Sequence, residues 1–349
     1  MVAMTAPSRV SAAPHAAIIP ARARQSRRFP VGDWRPVEIV EDGAGLAGRL
    51  AGLVAMMTIK PTLAIGSHVP KLPWPFGLVD FAARVLRPAP GTVRATIALP
   101  HCTAQLIRAA GVLPADGKRS VILYLHGGAF LTCGANTHGR MVTELSKFAD
   151  SPVFVVNYRM IPKHSIASAI DDCYDAYKWL RLTGYDPANI VLAGDSAGGY
   201  LALALAQRLQ AEGTEVPAAV VTMSPLFEIN SDSRAQHPNS RTDAMFPPRA
   251  IEALGAIVEE SAKRHGQEVY EPLEHIEPGL PRTLIHVSGS EVLLNDARKA
   301  ARMLAESGVP VEVRIWPGQI HVFQLCSPFV GEATRSLRQI GEYIREATW

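Results

Sequence analysis

The sequence of 349 residues predicts an α/β fold, a mostly parallel sheet covered by helices on both faces. Short strand-like runs alternate with helix-like runs along most of the chain, which is typical of βαβ units. The strand-like runs are apolar at nearly every position, as expected for strands buried on both faces. With 48% hydrophobic residues, a chain of this length can bury one large core.

The predicted elements follow one another after a proline-containing boundary at residues 88–91. Two paired strands come first, over residues 92–99 and 103–109. Further strands are predicted over 120–128, 152–159, 189–196, 218–225, 282–289 and 309–318, with helices over 138–149, 166–184, 197–213, 295–308 and 331–347. Sheets of this kind place their chemistry at the carboxyl ends of the strands.

The remaining segments divide the chain into three parts. Residues 1–35 form an arginine-rich tail that we expect to be disordered, with a weak contact to anionic lipid as the alternative. Residues 36–91 form an N-terminal helical region, and residues 92–349 form the α/β domain. Within that domain, residues 225–281 break the alternation and are expected to form part of a cap or an insertion at the sheet edge. No apolar run reaches the roughly 20 residues of a membrane span.

Composition excludes several classes of function. The net charge of +3 provides no strong field for nucleic acid. The four cysteines are far apart and form no CxxC pair, so neither zinc nor a disulfide framework is predicted, and a reduced, cytosolic setting is the simplest interpretation. No phosphate-binding loop, dinucleotide fingerprint or HExxH motif is present. We therefore expect no metal and no cofactor.

The stretch "VLAGDSAGGY" at residues 191–200 places a serine between glycines where a strand passes into a helix. Ser196 occupies the centre of a GxSxG motif. A turn this sharp needs small residues two positions before and two after the serine. The helix that follows favours negative charge at its amino end. This arrangement predicts a nucleophile, whereas a plain glycine-rich turn is the structural alternative.

An oxyanion site is predicted from "YLHGGAF", which follows a buried strand. Gly127 and Gly128 lack side chains, so their amides can turn into the cleft. Together with the Ala197 amide they would bind the charge that develops on a carbonyl oxygen.

The base is expected to be His321, one of eleven histidines. It lies in a late loop between a strand and the final helix, in agreement with the order serine, acid, histidine. His126 and His138 precede the serine. His286 lies within an apolar strand pattern and is predicted to be a core residue.

Two acids precede His321 in the loop "HVSGSEVLLNDA". Glu291 directly follows the turn after a strand. Asp296 lies about one turn into the next helix, where a carboxylate also stabilises the helix start. We therefore predict Glu291 as the residue that orients His321.

The motifs "HGGAF" and "GDSAGG" together resemble the hormone-sensitive-lipase-like branch of the α/β-hydrolases, the bacterial carboxylesterases. "NYRMIPKHSIASAIDDCYDAYKWL", "SPLFEI" and "GQIHVF" are also similar to segments of that family, and the resemblance covers roughly residues 92–345. It implies a Ser196 nucleophile, a His321 base and an oxyanion site at Gly127, Gly128 and Ala197. The acid of the family, usually aspartate, falls on Glu291, and Ala129 stands at the third glycine of the usual run.

The resemblance also implies an N-terminal helical cap over the active site. Side chains proposed to line an acyl pocket are Trp74, Phe76, Phe130 and Phe227, with packing within the fold as the alternative for each.

The expected activity is hydrolysis of short- to medium-chain carboxylic esters through an acyl-enzyme, acting on a small-molecule ester or lipid. Two alternatives stay open: another acyl hydrolase or acyltransferase with the same triad, such as an amidase or deacetylase, and a non-catalytic receptor of this fold. The expected location is cytoplasmic, with peripheral attachment to a membrane or the envelope as the alternative. A homodimer is also left open.

Overall fold

The computed structural model describes residues 35–69, 75–86, 88–230, 234 and 236–348. They contain a nine-stranded sheet in the order β1-β9-β8-β7-β6-β4-β5-β3-β2. The strands are β1 (Val37–Val40), β2 (Val93–Ala98), β3 (Thr103–Arg108), β4 (Val121–Leu125), β5 (Val153–Asn157), β6 (Ile190–Asp195), β7 (Ala219–Met223), β8 (Arg282–Ser288) and β9 (Val311–Trp316). Only β2 and β3 pair antiparallel with their neighbours; the other described pairs are parallel.

Helices cover both faces of this sheet. They are α1 (Leu46–His68), α2 (Phe76–Ala82), α3 (Gly139–Ala149), α4 (Ile166–Leu182), α5 (Ala197–Ala211), α6 (Asn239–Thr242), α7 (Pro248–Arg264), α8 (Leu294–Glu306) and α9 (Gly331–Thr348). Short 3₁₀ turns span Ala83–Val85, Pro187–Asn189, Pro272–His275 and Phe323–Cys326. The α/β prediction is therefore confirmed.

The core has two main layers because successive residues of a strand point to opposite faces. Leu123 and Leu125 of β4 pack in the layer that contains α4, α5 and α8. Ile122 and Tyr124 pack in the layer that contains α3 and α9. All five residues of β4 are buried, which explains why the strand is apolar throughout.

Among the nine strands described, β1 is the one that the sequence does not predict. It has only four residues, mostly exposed, and pairs in parallel with β9 at the edge of the sheet. Each of its residues pairs with one 275 positions further along the chain, and a local sequence pattern does not indicate so distant a pairing.

Helix α1 turns its small residues towards the domain and leaves its large apolar residues exposed. Its inner face is made of small residues, Gly48, Ala51, Gly52 and Ala55, while its large apolar side chains point outward. A Cβ on Gly48 would lie 3.0 Å from the Gln319 side chain, so glycine permits the helix to approach this loop closely.

By length and composition alone, α1 is apolar enough to cross a membrane, and it is the one such helix among the residues described. This corrects the expectation that no segment qualifies. Arg49 and Lys60 interrupt the apolar run in the sequence, yet the 23-residue helix tolerates two charges.

Candidate active site

Ser196 lies at the turn between β6 and α5, at the carboxyl edge of the sheet. Its backbone has φ 50° and ψ −119°, a conformation that is strained for any residue with a side chain. Two hydrogen bonds hold the turn: the Ser196 amide donates to Met223 O at 2.9 Å, and the Leu226 amide donates to Ser196 O at 3.1 Å. The strained serine is thus fixed by the neighbouring strand end.

The surrounding glycines are required by close contacts. A Cβ on Gly194 would overlap the Gly198 carbonyl oxygen, and a Cβ on Gly198 would overlap the Leu125 carbonyl oxygen. A Cβ on Gly199 would lie 2.7 Å from the Pro225 side chain. These glycines allow the turn to hold Ser196 against two neighbouring strands.

Glu291 and His321 lie together, as the sequence predicts. Nδ1 of His321 is 2.5 Å from Oε2 of Glu291. The other carboxylate oxygen accepts the Ser224 hydroxyl at 2.6 Å and the Ser288 amide at 2.8 Å. The Ser224 hydroxyl oxygen also accepts the Val322 amide at 3.1 Å, which ties the histidine loop to the same point.

The electrostatics of His321 are set by this contact. Burial disfavours the charged imidazolium, but the Glu291 carboxylate and its hydrogen bond outweigh that effect, so the pKa of His321 is raised. With Nδ1 on the carboxylate, Nε2 is the nitrogen left to take a proton. The Phe246 ring stands edge-on to the imidazole, with centroids 4.7 Å apart.

Asp296, the other candidate acid, pairs with an arginine and not with His321. It is fully buried and forms an ion pair with Arg234, with Nη2 and Oδ2 2.5 Å apart. The alternative acid therefore has its own partner, away from His321.

The oxyanion loop differs from the expectation at one residue. Gly127 donates its amide to Oδ1 of Asp195 at 3.0 Å, so that N–H is not available to a substrate. This corrects the prediction for Gly127. Among the residues that the structure describes, the amides of Gly128, Ala129 and Ala197 donate to no protein acceptor.

Three consecutive residues of this loop have positive φ: Gly128 at 114°, Ala129 at 56° and Phe130 at 58°. Positive φ is unfavourable for the two residues with side chains. The Thr132 amide donates to Gly128 O at 3.0 Å and holds the loop in this form.

Asp195 is a site residue that the sequence reasoning missed. Its carboxylate accepts the Tyr124 hydroxyl at 2.6 Å and the Gly127 amide, and both its oxygens lie 3.2 Å from Nε2 of His138. Burial opposes the charge, but His138 and these hydrogen bonds prevail and lower the pKa of Asp195. The one available signal was a carboxylate directly before the serine on a buried strand.

Two other histidines, His126 and His286, are buried among packing partners. His126 stacks on Tyr158 with centroids 4.3 Å apart, and burial followed by the nearby His138 lowers its pKa to about 4. His286 has no exposed surface and lies 2.8 Å from the Ser336 hydroxyl, which confirms it as a core residue.

A mainly apolar cavity of about 180 Å³ lies beside the oxyanion loop. Its walls come from α1, α2, α7 and the loop, and include Thr62, Leu63, Phe76, Ala129, Leu131, Phe246 and Leu254. Phe246 also borders a second, more polar cavity of about 370 Å³ that contains Arg234 and Glu252. The Phe246 ring, which contacts His321, therefore lines both cavities.

Of the three proposed pocket residues that the structure describes, Phe76 lines this cavity and the other two do not. Phe130 packs edge-on against Tyr200, and Phe227 has no exposed surface, so the structure places both in the core. This corrects the prediction for these two. Trp74 lies outside the described residues.

Comparisons with known proteins identify the family. A profile of the α/β-hydrolase fold matches residues 122–325, more than half of the chain. The chain belongs to that family. This hydrolase is 66% identical over 297 residues to the esterase LipU of Mycobacterium tuberculosis, covering 84% of this chain and all of LipU. It is 60% identical over 321 residues to LipF of the same organism, named a carboxylesterase/phospholipase, covering 90% of this chain and 86% of LipF.

Among solved structures, the hydrolase is similar to an esterase of the bacterial hormone-sensitive lipase family. The TM-score is 0.72 at 28% identity, covering 78% of this chain and 90% of the other. The predicted family is thus confirmed, and the protein is a carboxylic ester hydrolase of the hormone-sensitive-lipase-like branch.

Proposed function

We propose that this hydrolase cleaves short- to medium-chain carboxylic esters through a Ser196–His321–Glu291 triad and an acyl-enzyme. The observation that carries the proposal is the His321–Glu291 contact, tied through Ser224 to the strand end that holds the strained Ser196 turn. The raised pKa of His321 supports its role as a base near neutral pH.

In the proposed reaction, Ser196 Oγ attacks the ester carbonyl carbon while Nε2 of His321 takes the hydroxyl proton. The carbonyl oxygen becomes negative and is bound by the amides of Gly128, Ala129 and Ala197. When the C–O bond to the alcohol breaks, His321 returns the proton to the leaving oxygen. Water, deprotonated by His321, then attacks the acyl-enzyme, and the proton returns to Ser196 as the acid leaves.

The preference for chain length follows from the apolar cavity beside Ala129. An apolar cavity of roughly 150 Å³ accommodates a group the size of benzene. The cavity of about 180 Å³ is therefore suited to an acyl chain of similar volume. We also propose that α1, α2 and α7, from the regions 36–91 and 225–281, form the cap, since all three line this cavity. The division at residue 91 between the N-terminal helical region and the α/β domain is corrected by β1, which precedes residue 91 but belongs to the central sheet and not to the cap.

Hydrolysis of p-nitrophenyl esters of increasing chain length, by wild type and Ser196→Ala, tests the proposal. We expect activity that peaks at short or medium acyl chains and falls by at least about 10³-fold in the variant. Retention of turnover by folded Ser196→Ala would exclude the triad. A wild type that is inert on esters but transfers acyl groups, or cleaves amides, would favour the alternative acyl chemistries.

Phospholipid esters are a second candidate substrate. The similar protein LipF is named a carboxylesterase/phospholipase, and the cavity lies next to an exposed apolar helix. Release of fatty acid from phosphatidylcholine, measured beside the soluble esters, distinguishes the two substrates.

A further inference from the structure

The outer side of the N-terminal helices is unusually apolar. In α1 the large residues are outside, including Leu46, Leu50, Leu53, Val54, Met57 and Ile65. Met57, for instance, is 69% exposed. Helix α2 and the turn after it add Leu78, Val79, Phe81 and Val85. We call these ten residues the outer face. So many large apolar side chains left exposed on two consecutive helices mark an interaction site.

The exposed charged side chains beside the outer face are basic. Between residues 46 and 86 the chain has a single acid, Asp80, and the basic residues Arg49, Lys60, Lys71 and Arg84. Asp80 is directed inward, where it accepts the Asn136 and Thr137 amides. Arg49 and Arg84 are exposed beside the apolar residues. An occupant of this face is therefore expected to combine apolar and anionic groups.

Contacts of α1 with the rest of the fold exclude a spanning role for it. Lys60 Nζ donates to the Asp243 carbonyl at 2.6 Å, and the Gly45 amide at the start of the helix donates to Glu332 at 2.6 Å. The inner face packs near Gln319 and Ile320, next to His321. The helix is thus held against the α/β domain and can lie along a lipid surface without leaving the domain.

A second copy of the chain is a poor occupant. A two-fold interface brings the same patch of both subunits together. The N-terminal helices of one copy would then offer no free acid to Arg49 and Arg84 of the other, because Asp80, the single acid between residues 46 and 86, is already engaged. Lipid with anionic headgroups satisfies both the apolar residues and the arginines.

We propose that the outer face docks this hydrolase on a lipid surface that bears anionic headgroups. The cavity bounded by Thr62, Leu63 and Phe76 lies between the same helices, so docking brings its entrance close to the lipid. An ester dissolved in the lipid would then reach the cavity with little exposure to water. Docking itself does not depend on the proposed triad.

The test is co-sedimentation of the full chain with vesicles of phosphatidylcholine alone, or mixed equally with phosphatidylglycerol. The variant Leu53→Ser/Met57→Ser removes two apolar side chains from the outer face that do not line the cavity. The matched control, Leu113→Ser/Leu182→Ser, removes two similarly exposed apolar residues outside it. We expect the outer-face variant to bind mixed vesicles at least about tenfold more weakly than wild type and control. Added salt should weaken wild-type binding.

Equal binding by both double variants, or no binding by wild type, would overturn the proposal. So would a wild-type dimer by light scattering that only the outer-face variant dissociates, because the occupant would then be a second copy. Hydrolysis of a soluble ester is measured in parallel and should be equal in all three proteins. If wild type hydrolyses the soluble ester but does not bind vesicles, the docking proposal fails and the proposed function stands. If wild type binds vesicles but does not hydrolyse the ester, the proposed function fails and the docking proposal stands.

Discussion

Glu291 receives three contacts, from the Ser224 hydroxyl, the Ser288 amide and the His321 ring, and is almost fully buried. Two of them bind the oxygen that does not face the histidine. The carboxylate is therefore held in place independently of His321. The longer side chain of a glutamate fits here because it reaches back along the loop to the amide of Ser288, three residues earlier.

We expect Glu291→Gln to lower kcat by about 10⁴, as loss of the acid does in other triads. The acid limb of the pH–rate profile should also move. His321 acts as a base only when neutral, so its raised pKa makes wild-type activity fall as pH drops through that value. Without the carboxylate charge, burial prevails and lowers the pKa, and the limb shifts to lower pH.

The conservative variant Glu291→Asp provides the comparison for these kinetics. It keeps the charge, so its acid limb should stay near that of wild type while kcat falls less. An unchanged acid limb in Glu291→Gln would show that another group orients the histidine.

Some site residues can be predicted from their immediate neighbours in the sequence, whereas others depend on contacts with distant parts of the chain. Ser196, Glu291 and His321 could be proposed because each lies in a short turn with a recognisable order along the chain. Gly127 was assigned wrongly because its amide is bound by Asp195, 68 positions away. Phe227 was misplaced for a similar reason, since burial depends on the whole fold.

At the scale of elements, the passage from β6 to α5 leaves no space for a side chain at Gly198. We expect Gly198→Ala to destabilise the fold by more than about 4 kcal/mol, because the added Cβ overlaps the backbone of Leu125. Gly77→Ala in α2 is the control, since nothing lies within 4 Å of its Cβ. It should be neutral or stabilise by up to about 1 kcal/mol. Urea unfolding measures both, and comparable losses in the two variants would contradict the packing argument.

Helix α2 is connected to the loop after the oxyanion segment through Asp80. The carboxylate accepts both amides and both side chains of Asn136 and Thr137. We expect Asp80→Ala to lose about 2 kcal/mol of stability, to raise KM, and to speed hydrogen exchange at residues 134–138.

Asp116→Ala is the matched control for this prediction. Asp116 makes a similar set of bonds to Lys118 and Arg119 in an exposed turn. Its loss should leave KM unchanged. An equal rise in KM for both variants would mean that Asp80 acts only through general stability.

The N-terminal helices show what an apolar pattern leaves undetermined. Within the N-terminal region that the sequence predicts to be helical, residues 46–68 form α1, but the sequence pattern does not say which side of this helix faces the domain. In α1 the small residues face inward because the loop at Gln319 approaches closely. The orientation thus depends on a segment more than 250 residues away.

For the whole molecule, buried histidines make stability depend on pH. Burial, followed by the Arg314 charge, lowers the pKa of His286 to about 3 in the folded state, against about 6.5 when unfolded. The unfolded chain therefore binds the proton first as pH falls. Neutral His286 contributes stability above pH 6.5 that is progressively lost towards pH 3.

We expect His286→Asn, which keeps a hydrogen-bonding group beside the Ser336 hydroxyl, to reduce this acid sensitivity. Between pH 6.5 and 5 the wild type should lose about 1.6 kcal/mol more than the variant, because the slope rises from half to nearly all of about 1.36 kcal/mol per pH unit as the unfolded histidine becomes protonated. His321 and His138 have raised pKa values and act in the opposite direction, but they are common to both proteins. Parallel urea midpoints in the two proteins would exclude His286 as the source.

The pairing of β1 with β9 and the packing of α1 near Gln319 have a consequence for synthesis. A ribosome adds roughly 5–20 residues per second, so α1 leaves it tens of seconds before its packing surface exists. During that interval both its small-residue side and its large-residue side are uncovered. We therefore expect this helix to be prone to aggregation, and open to binding by chaperones, until the last strand closes the sheet.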